Sequence, residues 1–100
     1  MTVENLWMYV LAALSEGPTY AYDIRKRIAR DFGFKPSTIT LYSVVYRLKR
    51  EGLIRERGDG FKVYEVTDEG VEALREGVRF IEENARRIRE KFGERNELNH

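Results

Sequence analysis

The amino-acid sequence predicts a mainly α-helical fold with a small β-hairpin and a long C-terminal helix. Apolar residues recur every three or four positions in three early segments and one long late segment, the spacing of amphipathic helices. Before the late segment the helical spacing stops, and two short segments rich in β-branched and aromatic residues flank a Gly-Asp-Gly turn, which is typical of a hairpin. Two short helices joined by a brief turn and followed by a hairpin describe a winged helix-turn-helix. A small α+β domain with the same elements and another use is the alternative.

Capping and breaking residues separate the predicted elements. The first helix covers Val3 to Leu14, and Gly17 and Pro18 end it, since proline cannot continue a helix. Gly52 suits the end of the third helix. Hydroxyl residues that precede helical segments are candidate N-caps: Thr19, Ser37 and Thr67.

Length and composition describe one globular domain. We expect a winged helix-turn-helix domain over residues 1–67, a C-terminal helix over 68–93 and a frayed tail over 94–100. A chain of 100 residues is near the size at which a partner chain commonly adds stability. It has no cysteine, no apolar run near the ~18 residues of a membrane span and no signal-peptide pattern, so we expect a cytoplasmic protein that does not bind membranes.

The sequence offers little for catalysis. The only histidine, His100, falls in the predicted tail, so a histidine-based triad or metal cluster cannot be assembled. The glycines lack the spacing of a phosphate-binding loop. We therefore predict a non-enzyme with neither metal nor cofactor.

Charge is concentrated in the middle of the chain although the net charge is only +1. Residues 20–62 carry eleven basic and five acidic residues, a net charge of +6, whereas residues 1–19 and 63–100 carry −2 and −3. This asymmetry favours a polyanionic partner for the middle of the chain. The alternative is an ordinary solvated surface.

The third predicted helix has one apolar face and one face suited to DNA. The apolar stripe consists of Leu41, Val44, Val45 and Leu48. The opposite face and its flanks carry Ile39, Thr40, Ser43, Tyr46, Arg47 and Arg50. Arginines bind guanine edges or phosphates, hydroxyls donate to either, and Ile39 can contact a thymine methyl. Keeping a surface helix soluble is the alternative role for this face.

Two further segments add candidate DNA contacts. Tyr20 and Tyr22 lie at the start of the second helix, where unpaired backbone N–H groups attract anions; filling a gap under the wing is the alternative. Tyr42 is expected to pack against neighbours. The predicted DNA contacts outside the helices are Lys35, Ser37, Arg57 and Lys62, and those of the wing, Arg57 and Lys62, are expected to contact phosphates.

Three ordered motifs resemble the PadR family of winged-helix transcriptional regulators. They are "LAALSEGPTYAYDIRKRI", "FKPSTITLYSVVYRLKREGLI" and "KVYEVTDEG", and the resemblance covers about residues 10 to 75. It implies a DNA-binding transcriptional regulator, expected to act as a repressor, with double-stranded DNA as its partner. Four positions depart from the family pattern: Ala21 and Ile39 replace glycines, Ser43 replaces a proline and Lys49 replaces an acid.

The last helix carries a heptad pattern. Its apolar residues alternate spacings of three and four: Val71, Leu74, Val78, Ile81, Ala85, Ile88 and Phe92. This is the seam of a coiled coil, so we predict a homodimer; a helix that packs only on its own domain is the alternative. The resemblance implies that the helix also packs on the partner's first helix, through Leu6 and Val10.

A dimer would place two recognition helices about 34 Å apart and read a two-fold-related operator. The alternative function is a winged-helix module for protein–protein assembly without sequence-specific DNA binding. The resemblance also implies a small aromatic effector bound between the first and last helices, with Trp7, Met8 and Phe80 as candidate lining residues. Residues of this kind more often belong to an ordinary dimer core, and the sequence does not identify an effector.

Overall fold

The computed structural model describes residues 5–58, 60 and 62–98. The predicted helix start at Val3, Asp59 of the predicted turn, and residues 99 and 100 of the predicted tail lie outside the described residues. The elements in chain order are α1 Leu6–Ser15, β1 Thr19–Tyr20, α2 Ala21–Phe32, α3 Thr38–Arg50, β2 Ile54–Arg57, β3 Val63–Val66 and α4 Asp68–Leu98. This order confirms the predicted fold class, a winged helix-turn-helix followed by a long helix.

The sheet has three strands, in the order β1-β3-β2, and all pairs are antiparallel. The predicted two-stranded hairpin is β2 and β3; the expectation missed β1, which is too short to show an alternating pattern. Thr19 pairs with Tyr64 and Tyr20 with Val63. The predicted cap at Thr19 was also wrong: Tyr20 is the N-cap of α2, and the Thr19 hydroxyl donates to the Asp23 carboxylate at 2.9 Å.

The core forms around α1, which packs against α2, α3, α4 and β3. Each element turns its apolar side inward, and burying a large aliphatic side chain stabilises the fold by about 1.5–3 kcal/mol. The largest fully buried side chains are Leu6, Val10, Leu11, Leu14, Ile24, Ile28, Leu41, Val45, Leu48 and Ile54. The predicted apolar stripe of the third helix therefore supplies its core face.

Leu6 and Val10 require a correction. They are 1% and 0% exposed within the single chain, so no surface of either side chain remains for a partner. The prediction that they contact a second copy was wrong, because their apolar spacing serves the domain's own core instead.

Two predicted N-caps are confirmed. The Ser37 hydroxyl accepts a hydrogen bond from the Thr40 N–H at 3.2 Å and begins α3. The Thr67 hydroxyl accepts from the Gly70 N–H at 3.0 Å and donates to the Gly52 carbonyl at 2.7 Å. This second hydrogen bond joins the start of α4 to the turn that ends α3. Gly52 has a φ of 77° there, a conformation that suits glycine.

Gly70 allows α4 to approach the domain closely. A Cβ atom at this position would lie 2.1 Å from the Leu53 carbonyl oxygen, and a backbone atom cannot move aside cheaply. We expect Gly70→Ala to lower the free energy of unfolding by about 1–3 kcal/mol, measured by denaturant titration. Gly93→Ala is the control, since Gly93 lies in the same helix and a Cβ atom there would have no neighbour within 4 Å. Equal stability of the two variants would contradict this account of the junction.

The helix α4 extends beyond the rest of the fold. Its 31 residues span about 46 Å at 1.5 Å per residue, and it continues to Leu98, past the expected boundary at residue 93. The molecule measures 64 × 25 × 20 Å along its principal axes. Val71 and Leu74 are partly buried, whereas the later seam residues are more exposed: Val78, Ile81, Ala85, Ile88 and Phe92. Within the described part of the chain, no helix is both long enough and apolar enough to cross a membrane.

Candidate nucleic-acid interface

The outward face of α3 carries most of the predicted DNA contacts. Because Leu41, Val45 and Leu48 point into the core, the opposite side of the helix faces solvent. The predicted contact residues exposed on it are Ile39, Ser43, Tyr46, Arg47 and Arg50. Thr40 is half-buried. The resulting surface combines cations, hydroxyls and one aliphatic side chain, a mixture that suits the edges of base pairs and the phosphates beside them.

The basic residues of α3 have different surroundings. Arg47 forms an ion pair with Glu51 at 3.3 Å, and both side chains remain about half exposed, so this pair holds Arg47 only weakly. Lys49 donates to Glu56 of β2 at 2.7 Å. This hydrogen bond raises the pKa of Lys49 and lowers the pKa of Glu56. Lys49 therefore ties the helix to the wing, while Arg50 lies exposed beside Tyr46 in a shallow cleft of about 220 Å³.

The hydroxyls at the start of α3 are partly engaged. The Ser37 hydroxyl donates to Thr40 Oγ1 at 2.8 Å while accepting the capping hydrogen bond. Ser37 therefore acts first as a helix cap. Thr40 has its own hydroxyl hydrogen left to donate, which keeps it as a candidate contact.

Four tyrosines converge at one side of α3, one each from β1, α2, α3 and β3. They line a cleft of about 210 Å³, called here the tyrosine cleft, formed by Tyr20, Ala21, Tyr22, Tyr42, Lys62 and Tyr64. The structure thus brings together three residues that the sequence predicted as separate DNA contacts: Tyr20, Tyr22 and Lys62. Tyr42, expected to pack against neighbours, is half exposed and lines the same cleft.

Tyr64 is a member of the tyrosine cleft that sequence reasoning missed. It is largely buried, and burial raises the pKa of its hydroxyl, so the group stays a protonated donor. Lys26 lies 5.4 Å from the centre of the Tyr22 ring, within reach of a cation–π interaction. Hydroxyl and ammonium donors around one concave surface are suited to a phosphate group.

The wing is less cationic than the sequence suggested. Arg55 and Arg57 both donate to Glu65, at 2.6 and 3.0 Å. Arg55 is the cross-strand partner of Glu65, and Arg57 is two residues further along the same strand. The hydrogen bond from Arg55 is the main reason that the pKa of Glu65 is lowered. These three residues together carry a single positive charge. Lys62, exposed near the tip of the hairpin, is the wing cation that lines the tyrosine cleft.

Three arginines of residues 20–62 are engaged within the domain, two by hydrogen bonds to backbone carbonyls and one by exposed ion pairs. Arg25 donates to the Pro36 carbonyl at 2.7 Å, which fixes the turn between α2 and α3. Arg27 donates to the Ala13 and Gly17 carbonyls at 3.0 and 2.7 Å. Arg30 pairs with two acidic neighbours, Glu16 and Asp31. The net charge of +6 for residues 20–62 therefore overstates the positive charge available to a partner. Lys35, in the turn before α3, is exposed.

The pattern of the transcriptional regulator PadR-like family matches residues 10–76. This chain belongs to that family. The matched range includes α2, α3 and the wing, and so contains the whole surface just described. Among curated proteins, none matches the chain significantly.

Solved structures agree with the PadR-like assignment. A transcriptional regulator from Clostridium thermocellum is 27% identical with a TM-score of 0.78, covering 86% of this chain and 91% of that one. Bacillus subtilis PadR, solved in complex with operator DNA, is 25% identical with a TM-score of 0.67, covering 77% of this chain and 48% of that one. A PadR family transcription regulator from Clostridium difficile, at 22% identity, has a TM-score of 0.68 and covers 84% of this chain and 97% of that one; it shows the shared fold.

The PadR-like fold leaves an apolar groove between α1 and α4, the region where an effector was expected. The groove has a volume of about 200 Å³ and is lined by Asn5, Met8, Tyr9, Ala12, Phe32, Leu74, Val78 and Ile81. Of the three predicted lining residues, only Met8 borders it. A Cβ atom on Gly77 would lie 2.8 Å from Trp7 Cη2, so Trp7 packs directly on α4. Phe80 is exposed and does not line this groove. Trp7 and Phe80 therefore do not line this groove in the single chain, because spacing alone does not show which side of each helix borders it. Their role in an effector site stays a prediction.

Proposed function

We propose that this PadR-like protein is a homodimeric DNA-binding repressor that acts in the cytoplasm on a two-fold-related operator. The observation that carries the proposal is the continuous surface formed by the outward face of α3, the tyrosine cleft and Lys62. It combines a helix face with the cleft beside it, and α3 carries no acidic side chain, since the first acid after it is its C-cap, Glu51. Such a surface fits a major groove and the phosphates that border it.

The outward face of α3 would read bases while its surroundings position the domain. Arg47 and Arg50 can donate to guanine edges or phosphates, and Ser43 can donate to either. Hydroxyls of the tyrosine cleft would contact backbone phosphates, which carry no sequence information but fix register. The Bacillus subtilis relative solved with operator DNA supports this use of the fold.

The exposed half of α4 supports a dimer. Ile88 and Phe92 are 64% and 54% exposed in the single chain, although they continue the heptad stripe that begins beside the core. A lone helix projecting into water gains little stability from its own hydrogen bonds. Pairing two copies would bury this stripe and form the coiled coil that the heptads predict.

A dimer gives the repressor its geometry. Two copies of α3 about 34 Å apart would enter successive major grooves on one side of the duplex. A protein bound in this way over a promoter would exclude polymerase by occupying the site.

Protein–protein assembly is the second candidate, favoured by the aromatic and aliphatic surface of the same face. Tyr46 and Ile39 are both well exposed, and large apolar side chains also mark protein interfaces. A protein partner would bind with little dependence on salt, whereas phosphate contacts lose affinity steeply as salt rises.

Selection of bound duplexes tests the proposed function. Purified protein is incubated with fragments of the host genome, and the retained fragments are sequenced and footprinted. We expect enrichment of one two-fold-related motif and protection of two major-groove segments about one helical turn apart. Absence of any enriched sequence, even at low salt, would reject the proposal in favour of the assembly module.

A further inference from the structure

Ile39 is the large apolar side chain most exposed to water among residues 5–58, 60 and 62–94, whose burial the structure describes. Its relative exposure is 85%. It is the second residue of α3, and its neighbours in the chain are threonines. A β-branched residue gains nothing as a helix former at such a position, and no described part of the chain covers it. The domain's own stability therefore does not account for an isoleucine here.

The position of Ile39 limits what it can touch in a bound duplex. It lies in the first turn of α3, and the first residues of a recognition helix contact base edges in the major groove. The Ser37 cap fixes this turn, so Ile39 is presented by rigid backbone. Most groups on the floor of the major groove are polar donors and acceptors; the thymine C5-methyl is the apolar exception. An aliphatic side chain in this position gains by covering that methyl.

We propose that Ile39 specifies thymine at one position in each half-site of the operator, by packing on its methyl group. The proposal rests on the DNA-binding function proposed above and adds the chemistry of one contact. The family motif that this chain resembles has a glycine at this position. The thymine preference would therefore distinguish this chain's operator from those of relatives that keep the glycine.

Replacing thymine with deoxyuridine isolates this contact, because uracil keeps the hydrogen-bonding groups of thymine and lacks only the methyl. The probe is the preferred duplex obtained by selection from a random-sequence pool. Each thymine is replaced in turn, and the dissociation constant is measured by fluorescence anisotropy. We expect one position per half-site at which replacement weakens binding about fourfold, the value of one buried methyl-sized group.

Variants of Ile39 connect the methyl to the side chain. Ile39→Ala should bind the thymine and uracil duplexes equally, while Ile39→Val should retain most of the preference. Thr38→Ala is the matched control, since Thr38 is an exposed neighbour in the same turn, and it should keep the full effect, about fourfold. Circular dichroism should show unchanged helix content in all three variants, because neither residue contributes to the core.

The outcomes separate this inference from the proposed function. Sequence-specific binding that is insensitive to uracil at every position would overturn the role of Ile39 while leaving DNA binding intact. The same conclusion follows if Ile39→Ala keeps the full uracil effect. Failure of the unmodified protein to bind any duplex would instead overturn the proposed function.

Discussion

Replacing Arg47 and Arg50 together with alanine is expected to weaken binding to the preferred duplex by about 2–5 kcal/mol per dimer. Both guanidinium groups are exposed on the outward face of α3, so their removal takes donors from the base edges and phosphates without opening a cavity. The exposed Arg47–Glu51 pair contributes little to folding. We therefore expect the variant to keep its thermal unfolding midpoint while its dissociation constant, measured by fluorescence anisotropy, rises by more than tenfold.

A control with the same loss of charge separates specific contacts from general electrostatics. Arg86 and Arg87 are exposed on α4 and pair with Glu90 and Glu83, far along the chain from the DNA face. Arg86→Ala with Arg87→Ala should leave the affinity within about twofold of the unmodified protein. If the α3 variant binds as tightly as this control, the outward face of α3 is not the DNA-reading surface.

Ile81→Glu combined with Ile88→Glu is expected to convert the dimer to monomers. The two residues lie on one heptad stripe, so pairing two helices would bury four such side chains. Burial of each is worth about 1–2 kcal/mol, and like charges on facing helices would add repulsion. We expect dimerisation to weaken by at least about 4 kcal/mol, or roughly a thousandfold, as measured by sedimentation equilibrium at micromolar protein concentration.

The folded monomer should survive these substitutions. Ile81 and Ile88 are 41% and 64% exposed in the single chain, and the core around α1 does not include them. The Arg86→Ala and Arg87→Ala variant again serves as the control, because it also makes the net charge more negative by two while leaving the stripe intact. Persistence of a full dimer in the glutamate variant would show that the stripe is not the interface.

The fold was largely readable from the sequence because its elements are marked locally. Ser37 and Thr67 cap helices by bonds to residues three positions away, and such bonds depend on short-range sequence alone. β1 was missed because two residues cannot show a period; it exists only because Thr19 and Tyr20 lie beside β3. Its formation is a consequence of tertiary structure.

The candidate site was predictable in its composition and less so in its electrostatics. A charge count treats every arginine alike, but Arg25 and Arg27 donate to backbone carbonyls. Arg57 and Arg55, both in β2, share one carboxylate across the hairpin, that of Glu65 in β3. Which cations remain available depends on contacts between residues far apart in the chain, and periodicity does not report them.

Apolar periodicity was also ambiguous about partners. Leu6 and Val10 have the same spacing as the α4 stripe, yet they are fully buried in the domain, whereas Ile88 and Phe92 are left in water. The two cases differ only in whether another part of the same chain lies within reach. Helix length was the better indicator, since α4 extends beyond the domain that it joins.

The stoichiometry of the protein–DNA complex across a range of salt concentrations tests the central claim most directly. Sedimentation velocity of a labelled preferred duplex, titrated with protein, reports the mass of the complex and its affinity together. Two chains are predicted per duplex, with log K falling against log salt at a slope of about −5 to −7, as expected for ~6–8 neutralised phosphates. A complex with one chain per duplex, or an affinity that does not change with salt, would contradict the account.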